Sequence, residues 1–297
     1  MGPWGVSTGR ATAHRAARTA PRPPWSTQPA VPTAQGRVWF KANCAALASS
    51  PGCRSSWPSW PREAVDPPLA IDAGRGWMLT VDRGPTLADA EVVDVTDWRR
   101  VLVRAAELQQ ATAQHRTVLL DAGLPDCGTE TVSTGSTRLV EIFAELPYAH
   151  PSHVPPHLRA RLVAQRSEIA DAAAQLAAST MPATWQHGDL HPNNVFARDG
   201  RVFDFADGQW ARAVEVLSVP YGWITNQTDR LVGRARGLLR GVGVPVAEVT
   251  ALAAATTLTQ PVNRTLLWWT CLQEATAAEW SEWGSAPLHH LTRVLDP

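Results

Sequence analysis

The residues able to do chemistry crowd into one short stretch. After Gln186 the chain reads His187-Gly188-Asp189-Leu190-His191-Pro192-Asn193-Asn194, then Val195-Phe196-Ala197-Arg198-Asp199-Gly200-Arg201-Val202, then Phe203-Asp204-Phe205-Ala206-Asp207. Two apolar half-strands flanking Asp199-Gly200 are a hairpin signal. A two-residue loop would put Asn194 and Asp204 on opposite faces. A three-residue loop, Arg198-Asp199-Gly200 with Gly200 left-handed, pairs Ala197 with Arg201 and sets Asn194 opposite Asp204, their Cβ atoms roughly 5 Å apart. The three-residue loop is the expectation, because it gathers an amide oxygen and a carboxylate at one mouth. That donor pair suits a hard cation such as Mg2+, which keeps several waters and binds substrate phosphates. Asp189, in a tight loop five residues upstream of Asn194, would orient an attacking hydroxyl and accept its proton while the metal screens phosphate charge.

One cation completes the set. Lys41 is the only lysine among 27 basic residues and sits in the apolar, β-prone run Arg37-Val38-Trp39-Phe40-Lys41-Ala42. In a chain that otherwise uses arginine, a lone lysine inside a strand points to a place for a compact ammonium, here against nucleotide phosphates. A competing pattern is His187-x-Asp189-x-His191, which on a regular strand would aim three ligands one way, as in a zinc or dinuclear metallohydrolase. Gly188 and Pro192 oppose such a strand.

The elements that must position these groups follow from periodicity. Residues 37–42 and 76–81 read as strands, the second entered through the Gly74 and Gly76 turn signals and left through Asp82-Arg83-Gly84-Pro85, a break suited to a linker. From Asp97, taken as a helix cap, Trp98, Val101, Leu102, Ala105 and Leu108 share a face up to the Gly123-Leu124-Pro125 break. Residues 158–178 repeat the helical pattern, with further helices expected around 229–240 and 262–282. The Trp268, Trp269, Trp280 and Trp283 cluster is read as helix core. A small β-containing part therefore precedes a mostly helical one, an α+β chain.

Composition bounds the class. The chain has 297 residues, 44% hydrophobic and 18% charged, with zero formal net charge, enough to bury a core and unlike a uniformly basic nucleic-acid binder. Residues 1–64 hold eight basic residues against the single acid Glu63. Residues 1–35, rich in Pro, Ala, Ser, Thr and Arg, are expected to be a disordered tail; Gly5-Val6-Ser7-Thr8-Gly9 within it mimics a nucleophile elbow without the strand and helix that such a turn needs. Cys44, Cys53, Cys127 and Cys271 form no C-x-x-C pair, which suits a reducing cytoplasm, and the N-x-T triplets at Asn226 and Asn263 are then accidental. No apolar run reaches the roughly 18 residues of a membrane span, so neither a membrane nor a nucleic-acid partner is expected.

The stretch from His187 to Asn194, with Phe203 to Asp207, resembles the catalytic and metal-binding loops of the aminoglycoside phosphotransferase and choline kinase-like family. The resemblance extends over about residues 36–297. It implies a protein-kinase-like two-lobe fold: a small β-containing N-lobe with hinge over 36–82 and a larger, mainly helical C-lobe over 83–297. It implies ATP and Mg2+ as cofactors, with Lys41 on the α/β-phosphates, the backbone of Thr80, Val81 and Asp82 holding the adenine, Asp189 as catalytic base, and Asn194 and Asp204 as metal ligands. His187 would brace the loop, with His191 and Asp207 in support. The implied reaction moves the γ-phosphoryl to a hydroxyl of a small molecule resembling an aminoglycoside, a sugar or an amino alcohol. One departure matters: such folds orient the lysine with a Glu on the following helix, whereas residues 42–62 contain no acid. A non-catalytic, pseudokinase-type binding protein with a degenerate N-lobe is the alternative.

Overall fold

The computed structural model describes residues 25–34, 36–48, 52–53, 61–90, 93–220 and 246–296. The nucleophile-elbow mimic at Gly5–Gly9, the Asn226 triplet and the helix expected around 229–240 lie outside these residues.

The N-lobe is an antiparallel sheet. Its strands are β1 (Ser26–Thr27), β2 (Ala30–Thr33), β3 (Gly36–Asn43), β4 (Ala70–Asp72) and β5 (Trp77–Val81), ordered β1-β3-β5-β4 with β2 also on β3. Val38, Trp39 and Phe40 supply the branched and aromatic side chains that a half-buried pleat favours, and Lys41 faces Met78 across the β3–β5 ladder. Gly76 carries the chain into β5 at a φ of 69°. Order begins earlier than Gly36: Ser26–Thr27 and Ala30–Thr33, expected in a disordered tail, pair with β3 from Ser26↔Asn43 to Thr33↔Gly36. The reason is local. Ala30, Val31 and Thr33 suit an edge strand, and Pro32, which cannot donate to a ladder, is tolerated at an edge.

The C-lobe is mainly helical. Helix α1 (Val95–Thr112) starts on Asp94, whose side chain accepts from Thr96 and Asp97, while Asp97 returns to the Asp94 N–H; the cap is thus Asp94, with Asp97 closing the capping box. Trp98, Val101, Ala105 and Leu108 of α1 are buried on one face. Helix α2 (Arg116–Asp121) follows, then α3 (Thr129–Glu145). The pattern over 158–178 resolves into two helices, α4 (Pro156–Ala164) and α5 (Arg166–Ala178), divided at Gln165. The pattern around 262–282 is likewise broader and divided: α6 (Val246–Leu272) runs 27 residues and is followed by α7 (Ala277–Trp283) and α8 (Ala286–Thr292).

Between the helices, β6 (Ala183–Gln186) and β7 (Gln209–Arg212) pair antiparallel, Gln186 opposite Gln209. The chemistry-bearing stretch is therefore one long loop closed at its base by a two-stranded ladder. Trp185 and Phe205 fill the core beneath it. Asn263 is buried in α6, which rules out its use as a surface sequon. Among the described residues no helix is long and apolar enough to cross a membrane.

Candidate active site

The loop crosses over itself. Gly188 has a φ of 78°, and a Cβ there would collide with the Asp207 carbonyl oxygen; only glycine lets the two ends of the loop approach, and this brings Asp189 beside Asp207. The His187 ring, buried against Phe205, donates from Nε2 to the Phe203 carbonyl at 2.7 Å and accepts the Asp189 N–H on Nδ1 at 3.4 Å. Both ring nitrogens are spent on the loop, and burial lowers the basicity of the ring. It is a brace.

His191 differs. Its Nδ1 accepts the Asn193 N–H at 3.1 Å, capping the 3-10 turn Pro192–Asn194, and its Nε2 lies 3.2 Å from Asp189 Oδ2. His187 and His191 thus serve separate partners instead of converging on one metal. Burial works against the Asp189 carboxylate, but the His191 hydrogen bond and the Arg264 guanidinium outweigh it and hold Asp189 below the usual carboxylate range.

The hairpin register differs from expectation. Val195 pairs with Val202, and Phe203 donates to the Asn194 carbonyl at 3.0 Å, so Asn194 faces Phe203 and four residues, Ala197 to Gly200, make the turn. Gly200 is left-handed, φ 72°. The extra residue is accommodated by an i to i+4 bond from Gly200 to the Phe196 carbonyl. Asp204 nevertheless reaches the same cavity as Asn194, because its own backbone is left-handed at φ 59°, the one non-glycine residue so placed among those described. This unusual backbone, and not the register, aims the carboxylate.

Asn194 donates its Nδ2 to the Asp189 carbonyl at 2.9 Å, which commits the nitrogen and turns the amide oxygen away. An amide oxygen and a carboxylate on one cavity wall fit Mg2+ by donor type. Asp204 is ion-paired to Lys41 and accepts from Gln28 Nε2 at 2.9 Å. Burial opposes its charge, yet Lys41 and Gln28 hold it at about 2. Among the described residues the carboxylate partner of Lys41 is thus Asp204, and Glu63 is exposed. The departure noted in the sequence is real in space.

The cavity, ≈ 190 Å³, lies between the lobes. Asp189, Asn194, Asp204 and Asp207 form one side; Arg264, Trp268 and Cys271 of α6 form another; Trp25 and Leu47 come from the N-lobe. Thr80, Val81 and Asp82 lie outside this lining, at the end of β5, where Asp82 pairs with Arg37 and caps the Gly84 N–H. Sequence reasoning missed Arg264, which lies 2.5 Å from Asp207 and 3.7 Å from Asp189. Burial disfavours its charge, but the two aspartates more than restore it. Asp207 itself is raised by burial, with Asp189 and Asp204 adding repulsion that Arg264 only partly offsets. A signal existed: Arg264 is the only charged residue between Val249 and Gln273. Trp25 and Gln28 carried none. Of the tryptophans read as core, Trp269 packs on Phe143, whereas Trp268 lines the cavity and meets Trp25 edge-on at 4.9 Å.

Residues 134–242, which contain the whole loop, match the model of the phosphotransferase enzyme family. The chain resembles that family and has its protein-kinase-like fold. Among solved structures it is similar to a macrolide 2'-phosphotransferase from Brachybacterium faecium (16% identity over 89% of this chain and 88% of that one, TM-score 0.54). It is similar also to aminoglycoside 2'-phosphotransferase-IIIa in its GDP complex (12% identity, 91% and 89% coverage, TM-score 0.59). A Plasmodium vivax ethanolamine kinase matches over 90% of this chain and 78% of that one, at 11% identity and a TM-score of 0.62. No curated protein matches the sequence.

Proposed function

We propose that the chain is a cytoplasmic ATP- and Mg2+-dependent phosphotransferase that moves the γ-phosphoryl to a hydroxyl of a small molecule. The observation that carries this reading is the convergence of Asp189, Asn194 and Asp204 on one interlobe cavity, with Lys41 of the N-lobe ion-paired to Asp204. Asp189, ionised and steered by His191, receives a hydrogen bond from the acceptor hydroxyl and takes its proton as the bond to phosphorus forms. Asn194 and Asp204 would hold Mg2+, which when bound screens the charge of the transferring phosphoryl. Lys41 exchanges Asp204 for the nucleotide phosphates. Thr80 to Asp82 hold the base. The macrolide, aminoglycoside and ethanolamine acceptors named for similar structures support a small hydroxylated acceptor.

A second reading has a specific observation behind it. Both Asp204 oxygens are engaged, by Lys41 and Gln28, as in a pseudokinase whose cleft has closed on itself. Thermal unfolding with and without Mg-ATP decides between them. A ligand at 100 times its dissociation constant stabilises by about 2.7 kcal/mol, so a Mg-dependent rise in Tm followed by transfer to one of a panel of hydroxylated acceptors is the expected outcome. A cooperatively folding chain with no shift overturns the enzyme.

A further inference from the structure

The four cysteines fall into two kinds. Cys53 is fully buried, its Sγ 3.6 Å from the Leu119 carbonyl, and burial pushes its thiol up to about 12. Cys127 is buried as well and pushed up further. Both are inert. Cys44 and Cys271 face each other across the lobes. Cys44 lies three residues beyond Lys41, where β3 runs into the 3-10 turn Ala45–Leu47, and it is partly exposed. Cys271 lies two helical turns beyond Arg264 on the same face of α6 and lines the cavity. The two pack together with Leu47 and Leu267.

We propose that Cys44 and Cys271 are a peroxide-responsive thiol pair whose disulfide joins the two lobes beside the catalytic cavity. The two side chains meet in one packed cluster at the cavity's edge, and the neighbouring Cys271 thiol brings the Cys44 thiol down to about 7, against burial and the Glu274 charge. The lowered thiol favours the thiolate, the form that attacks peroxide. The Cys44 sulfur attacks one oxygen of hydrogen peroxide, the O–O bond breaks, and hydroxide leaves to be protonated as water, giving a sulfenic acid. The Cys271 sulfur then attacks the Cys44 sulfur, the S–O bond breaks, and a second water leaves with the Cys271 proton. Two thiols and one peroxide become one disulfide and two waters. The bridge ties the end of the lysine strand to the helix that carries Arg264 and Trp268, so that the lobes cannot separate at this edge of the cavity. This chemistry is independent of the proposed transfer reaction.

The experiment is thiol mapping of the full chain. The reduced protein is treated with a slight excess of hydrogen peroxide, unfolded, alkylated and digested. The four free thiols should fall to two, with Cys53 and Cys127 alkylated, the Cys44 and Cys271 peptides recovered as one linked species, and all four restored by dithiothreitol. In Cys271→Ser, Cys44 should instead be trapped as a sulfenic acid by dimedone; in Cys44→Ser no linkage should form. Four alkylatable thiols after treatment, a link involving Cys53 or Cys127, or a link only between two copies of the chain would overturn the proposal.

Discussion

At the site, charge balance decides which carboxylate can do which task. Three aspartates share the cavity wall with Arg264 as their C-lobe cation and Lys41 as their N-lobe one, and the environments pull them apart: Asp189 and Asp204 are held down while Asp207 is pushed up. Asp189→Asn keeps the shape and removes the proposed proton acceptor, so on that reading phosphoryl transfer should fall about 10³-fold while the Mg-ATP rise in Tm persists. Asp204→Asn should lose both. Transfer assays and unfolding curves on the same preparations check this, and undiminished transfer in either variant would sink the assignment. Arg264→Met tests the balance itself. Without the guanidinium, Asp189 loses one of the groups that keep it ionised, so its pKa rises and the acid limb of the kcat/KM profile moves to higher pH by on the order of one unit. An unmoved limb would mean that His191 alone sets Asp189. The motif residues were legible because their chemistry is tied to spacing within one loop. Arg264, Trp25 and Gln28 were not, because they reach the site from elements 57 or more residues away in sequence from the group they touch, and only tertiary packing reveals that.

At the level of elements, the loop from His187 to Asp207 depends on two glycines for different reasons. At Gly188 a side chain meets backbone, the Asp207 carbonyl, and the φ of 78° is itself unfavourable for an L-residue. Gly188→Ala should therefore cost upwards of about 3 kcal/mol, combining left-handed strain of ~1–2 kcal/mol with forced separation of the loop ends. At Gly200 the φ is 72°, and the atoms nearest to a Cβ belong to a side chain, that of Arg100, whose Cγ at 2.7 Å would have to shift against its bonds to Asp97 and the Ala197 carbonyl. Gly200→Ala should cost the conformational part, about 1–2 kcal/mol, plus the displacement of the Arg100 side chain, less than forcing backbone from backbone at Gly188. Denaturant unfolding of the two variants should preserve this order, and equal losses would refute the crossing as the special feature. The expectation of left-handed Gly200 came from Asp-Gly turn chemistry and was met. The register was not, since loop length rests on whether Phe196 and Arg201 close the hairpin, and their side chains carry no period-2 signal that separates three residues from four. Strands β3 and β5 were readable from β-prone runs with turn residues beside them; β1 and β2 were hidden by prolines and polar residues that only an edge permits.

Across the whole molecule, the lobes are held by charge as well as by the cleft. Asp66 accepts from Nε and Nη2 of Arg83 at 2.7 and 2.8 Å and from Arg201 at 2.6 Å, and Val202 donates to the Ala64 carbonyl at 3.0 Å, so the segment that follows the acid-free stretch is stitched to the Val195–Val202 hairpin. A further carboxylate is buried outside the cavity lining. Glu215 accepts from Gln209 and Asn263, each at 3.2 Å, and Asn263 precedes Arg264 on α6. Burial dominates and raises Glu215 from 4.5 to about 8. Below pH 4.5 the group is protonated in folded and unfolded chains alike and has no effect on their balance. Between 4.5 and about 8 the unfolded chain releases the proton while the folded one retains it, so stability falls as pH rises, by up to about 1.4 kcal/mol for each pH unit. Above the folded value the loss is complete. Glu215→Gln keeps an acceptor for the two amides and removes the titration. The difference in unfolding free energy between variant and parent should therefore grow in the variant's favour from pH 5 to 8 and then level off. Parallel pH profiles for the two proteins would show that Glu215 is ionised in the folded chain and that its two amide donors suffice to solvate the charge.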